Sequence, residues 1–170
     1  MSQDSPAAAD LEVIARQLGR VPRGVQAVAH RCPCGQPDVV QTAPRLPDGT
    51  PFPTLYYLTC PRAAAAMSRQ EEAGVMREMT ARLHADGRLQ AAYAAAHEDY
   101  LIRRAAAARL AGVAPLPAGT QSAGGMPDRV KCLHALSAHA LAVPGVNPLG
   151  AEAVQAAGEW WHAGPCAQVS

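Results

Sequence analysis

The turn His30-Arg31-Cys32-Pro33-Cys34-Gly35 constrains this chain more than any other stretch. It joins two runs rich in β-branched residues, Val25 to His30 and Val39 to Thr42, and Thr54 to Thr59 supplies a third between Gly and Pro punctuation. The three runs read as an antiparallel meander, with Pro44 to Pro53 and its Asp48-Gly49 turn as the second connection. In a meander the first and third strands run the same way and finish at the same edge. Cys32 and Cys34 follow strand one and Cys60 follows strand three, so three thiols are expected at one end of the sheet.

Helical periodicity surrounds this segment. Ser5-Pro6 opens a first helix with Leu11, Ile14, Ala15 and Leu18 at helical spacing, and Gly19 closes it. Ser68 and Glu71 fit a capping box ahead of Val75, Met76, Met79 and Leu83. Asp86-Gly87 breaks that helix, and another runs from about Leu89 to Leu110, with Arg103, Arg104 and Arg109 near its end, where cations suit the dipole. Gly112 to Met126 is a long Gly/Pro/Ala loop, either functional or mobile. Pro127 opens a helix to about Val143, and a last one runs from Asn147-Pro148 towards Trp160-Trp161. The expected fold is therefore α+β, a small antiparallel meander packed against about four to five helices. Residues 1–23 form an N-terminal helix and linker, 24–161 one domain, and 162–170 a disordered tail.

The core must be economical. Hydrophobic residues are 49% of the 170, but alanine supplies much of that and aromatics only 4%, so a few Leu, Val, Met and Tyr side chains carry the burial. A net charge of +1 gives no indication of nucleic acid. No apolar run approaches a membrane span and no leader is visible, so the chain is expected in the cytoplasm. In a reducing compartment a cysteine cluster favours metal or redox chemistry over disulfides.

On this reading Cys32, Cys34, Cys60 and Cys132 converge on one centre, either zinc or an iron–sulfur cluster, both of which suit soft thiolates. Cys132 lies on the apolar stripe of the Pro127 helix, with Leu136 and His139. His134 then points to a different sector, so Cys132-Leu133-His134 is not itself a chelate. His30 is a fallback ligand, His139 a core histidine, and Cys166 an incidental exposed thiol of the tail. Gly124-Gly125 before the Pro127 helix, with Arg129, form a candidate site for a small phosphate- or carboxylate-bearing ligand, because free N–H groups at a helix start attract anions.

The segments Arg31–Gly35, Pro51–Pro61, Met126–His134 and Asn147–Gly150, taken together, resemble the mainly actinobacterial domain of unknown function 501 family from about Val25 to Trp161. The resemblance implies no established activity. Members tend to be encoded near a septum-formation protein and an exopolyphosphatase-like protein, which implies a cell-division partner or phosphate metabolism by association alone. Three functions follow as expectations: a metal-binding protein with a structural or redox centre, a metal-dependent enzyme acting on a small anionic ligand, or a metal-free interaction module.

Overall fold

A computed structural model describes residues 5–167. The architecture is α+β, with three antiparallel strands and, among the described residues, six helices. Strands β1 (Val25–Arg31), β2 (Pro37–Thr42) and β3 (Tyr56–Leu58) lie in the order β1-β2-β3, with Arg31 opposite Pro37 and Val39 opposite Leu58. The central strand is buried along its whole length, so it reads as Val39-Val40 in continuous burial instead of alternating inside and outside.

Helix α1 (Ala8–Leu18) packs on β2 through Val13 and Ile14. It starts later than Ser5-Pro6 predicts, because the Asp10 carboxylate accepts the Ala7 N–H at 3.1 Å and so fixes Ala7 as the cap. The buried stripe is rotated as well, leaving Leu11 exposed. Asp10 also receives both terminal nitrogens of Arg31, at 2.8 and 2.9 Å, which ties α1 to the end of β1.

Helix α2 (Pro61–Glu72) begins straight after Cys60, with Pro61 in the first turn, where its missing N–H costs nothing. Ser68 and Glu71 therefore lie inside α2 and do not cap a helix start. Gly74, at φ 84°, separates α2 from α3 (Val75–Ala85). This break accounts for one helix more than the sequence reading anticipates. Asp86 caps α4 (Gly87–Ala111) by accepting the N–H groups of Arg88 and Leu89.

The chain from 112 to 132 is pinned, not loose. Arg104 is only 5% exposed and donates to the carbonyls of Pro53, Thr120 and Gln121, while Arg45 reaches those of Ala114 and Pro115. Helix α5 runs Leu133–Ala142, six residues later than the Pro127 start predicts. The reason is a turn. Gly125 O accepts from the N–H groups of Asp128 and Arg129, and Gly124 O from that of Lys131, so this backbone is committed before α5 can begin. Asn147 and Pro148 then open α6 (Pro148–Ala157).

The main core joins Val39, Tyr56 and Leu58 of the sheet to Tyr93 and Tyr100 of α4 and to Leu133 and Leu136 of α5. Cys32 and Cys60 belong to the same cluster, with Cys34 and Cys166 packed against it. Among the described residues, no helix is long and apolar enough to cross a membrane.

Candidate metal centre

The cysteines fall into three places. Cys32 and Cys34 flank the β1–β2 turn, where Cys32 N–H donates to Gln36 O at 2.9 Å and Gly35 N–H to Cys32 O at 2.8 Å. Burial above all, with the neighbouring Cys34 adding to it, pushes Cys32 up to about 12. Cys60 precedes α2, and its thiol donates to Cys166. No disulfide links any of the five.

Cys132 stands apart from these pairs. Its φ of −153° makes it the cap before α5 and takes it off the helical wheel, so the predicted divergence from His134 does not apply. Both residues instead face Glu71 in the last turn of α2. One ligand atom each from Glu71, Cys132 and His134 lies within 4.8 Å of the others, and among the described residues no other three His, Cys, Asp or Glu side chains do so. The four-cysteine centre is thus not gathered at one point. Glu71 follows Cys60 by eleven residues of helix, about 16 Å along the axis, and the Gly124-Gly125 turn delivers Cys132 to the far end of that helix.

The imidazole of His134 is oriented from both sides. Its Nε2 lies 3.0 Å from Ala64 O, a group that only accepts, so Nε2 carries a proton. Ser68 Oγ is 3.3 Å from the same nitrogen. Nδ1 faces Glu71 Oε1 at 3.1 Å, and that oxygen also accepts the Leu133 N–H at 2.8 Å. A histidine whose far nitrogen donates to a carbonyl presents its near nitrogen as a ligand. The hydrogen bond to Cys132, and after it Glu71, brings His134 up to about 9 against burial, which pulls the other way. Burial alone would raise the Cys132 thiol, but the bonds from His134 and the Ala135 N–H outweigh it and hold the thiol below its ordinary value.

Cys132 separates two clefts. One, of about 630 Å³, is lined by Gly124, Gly125, Arg129, Lys131 and His97; the other, of about 690 Å³, includes Tyr56, Ser68 and His134. Gly124, Gly125 and Arg129 therefore lie beside Cys132, although their helix-start rationale fails. The glycines answer a packing need: a Cβ on Gly124 would sit 2.6 Å from Leu136 Cδ2, and one on Gly125 2.6 Å from Arg129 O. His30, the fallback ligand, is engaged elsewhere, with Nδ1 2.7 Å from Oδ1 of the buried Asp38. Sequence reasoning missed His134 and Glu71. The Cys-x-His spelling after a glycine turn was the available signal for the first, and Glu71 carried none.

Fold and site together define an α+β protein with a candidate three-ligand metal centre. The family model described as Protein of unknown function (DUF501) matches residues 28–155, and the chain belongs to that family. The match includes Glu71, Cys132 and His134 and stops before Cys166. No match is found among curated proteins or among solved structures.

Proposed function

We propose that this chain binds one divalent transition-metal ion, zinc by the chemistry of its donors, through Cys132, His134 and Glu71. The convergence of those three ligand atoms within 4.8 Å carries the reading. A mixed sulfur, nitrogen and oxygen set suits zinc, whereas iron–sulfur clusters are held chiefly by thiolates. Edges of a tetrahedral zinc site run roughly 3.5 Å, so the group closes on an ion through small side-chain rotations. Three protein ligands leave a fourth position for water or a ligand, as in catalytic zinc sites.

The clefts on either side of Cys132 give that position access to solvent. Arg129 and Lys131 make the glycine-lined cleft suited to a small carboxylate or phosphate approaching the ion. Metal analysis of reduced protein tests the reading. One equivalent of zinc is expected, lost in Cys132→Ser, His134→Ala and Glu71→Gln and retained in Cys32→Ser. Absence of stoichiometric metal, or its loss in Cys32→Ser with retention in Cys132→Ser, would overturn it.

A further inference from the structure

Cys166 is held in place by groups that have no part in the Cys132 centre. Gln17 Nε2 donates to its sulfur at 3.1 Å, and the thiol in turn donates to Gln36 Oε1 at 3.3 Å, an oxygen that also accepts the Ala167 N–H at 3.1 Å. Gly164 O accepts from Arg62 at 2.6 Å. These bonds lay residues 164–167 across the β1–β2 turn and the start of α2, so that the half-buried Cys166 packs against the core cluster that holds the buried Cys60 thiol. An incidental terminal thiol would have no such set of partners.

We propose that Cys60 and Cys166 form a redox-active dithiol that closes to a disulfide on exposure to a peroxide. The asymmetry of the pair assigns the roles. Cys60 donates to Cys166, and that bond together with Gln17 and the nearby Arg62 brings Cys166 down to about 6, although burial opposes the change. The same bond, with burial, pushes Cys60 up. Cys166, half-buried where Cys60 is buried, is therefore the sulfur that a peroxide reaches first, and it attacks as the thiolate once it has released the proton it shares with Gln36 Oε1. Its sulfur attacks one oxygen of hydrogen peroxide, the O–O bond breaks, hydroxide leaves, and Cys166 becomes a sulfenic acid. The Cys60 sulfur then attacks the Cys166 sulfur. The S–S bond forms as the S–O bond breaks, and the hydroxyl leaves with the Cys60 proton as water. Two sulfurs have lost two electrons, and the two peroxide oxygens have gained them.

Closure fastens the C-terminal segment to the sheet end, in a ring spanning most of the chain. The full chain, treated with one equivalent of hydrogen peroxide, capped with N-ethylmaleimide and mapped after chymotrypsin without reductant, reads the outcome. One cross-link, Cys60 to Cys166, is expected, with a melting temperature raised by about 5–10 °C and reversed by dithiothreitol. Cys166→Ser and Cys60→Ala should abolish the link, and Cys132→Ser should leave it intact, which separates it from the metal reading. Cys166→Ser alters only the terminal segment, so a folding defect at buried Cys60 does not decide the result. Linkage of Cys166 to Cys32 or Cys34, dimers joined through Cys166, or its over-oxidation without a link would overturn the proposal.

Discussion

Asn147 donates to His139: its Oδ1 accepts the Gly150 N–H at 2.9 Å, which leaves Nδ2 as the atom 3.3 Å from His139 Nδ1. The opposite nitrogen, Nε2, then carries the proton and donates to Asp99 Oδ2 at 3.1 Å, and Asp99 is held in turn by Arg103. The ring stacks on Tyr56 and meets Tyr100 edge-on. One neutral histidine thus joins α4, α5 and the cap of α6.

Acid should loosen this joint. Burial, with Arg103 adding to it, holds His139 below its ordinary 6.5 in the fold despite Asp99. As pH falls below 6.5 the unfolded chain takes up a proton that the folded chain refuses. The stabilisation is therefore complete above 6.5 and is lost as pH falls through the folded value. Thermal melts at pH 7.5 and 5.5 should show the lower value at 5.5, with the difference reduced in His139→Gln. An unchanged difference in that variant would mean that His139 is not the source of the acid sensitivity.

Gly150 lets α6 pack directly on the backbone of α5. A Cβ there would lie 2.1 Å from Leu136 O and 3.0 Å from Ala140 Cβ, and the obstacle is backbone, so the helices must separate. Gly150→Ala should cost about 3 kcal/mol, measured by urea denaturation, even though alanine is the better helix former. Retained stability would mean that the two helices can slide apart at little expense.

The sequence exposed the parts of the fold that depend on local chemistry. Asp86-Gly87 as a break, Gly19 as a stop, Gly112 as the start of a loop, Asn147-Pro148 as a start and all three strands needed only neighbours in the chain. Cys32 and Cys60 at one sheet end followed from meander topology. What stayed hidden was long-range. Arg104 looked like a dipole cation because nothing local shows that three distant carbonyls surround it, and Glu71 became a site residue only through the packing of α2 on α5. The Cys132 error came from the wheel, which assumed that the helix begins at Pro127, whereas Gly124 and Gly125 had already committed that backbone to a turn.

Arg104 holds the long 112–126 connection. Replacing it by Met keeps much of the volume but leaves the carbonyls of Pro53, Thr120 and Gln121 without their donor. A loss of about 3 kcal/mol is expected, with faster hydrogen exchange and proteolysis confined to 112–126. Arg104→Lys should recover only part, since one ammonium lacks the planar fork that reaches Pro53 on one side and Gln121 on the other. Uniform destabilisation, with no local increase in exchange, would argue that Arg104 contributes packing alone.

Metal uptake at Cys132, His134 and Glu71 should release protons. His134 is protonated up to about 9 in the metal-free chain, held there first by Cys132 and then by Glu71, and the ion must take the place of the Nδ1 proton. Cys132, held below its ordinary value, has less to give up. Below pH 9 the apparent zinc affinity should therefore fall with acidity, by up to about tenfold per pH unit while one proton is exchanged. Calorimetric titrations in two buffers of different ionisation heat measure the number directly, and at least one proton per zinc, that of His134, is expected near pH 7.5. In Cys132→Ser the histidine loses its strongest partner, so fewer protons should be released as well as less zinc bound. Zinc binding with no buffer dependence would place the ion on groups that are already unprotonated, away from His134.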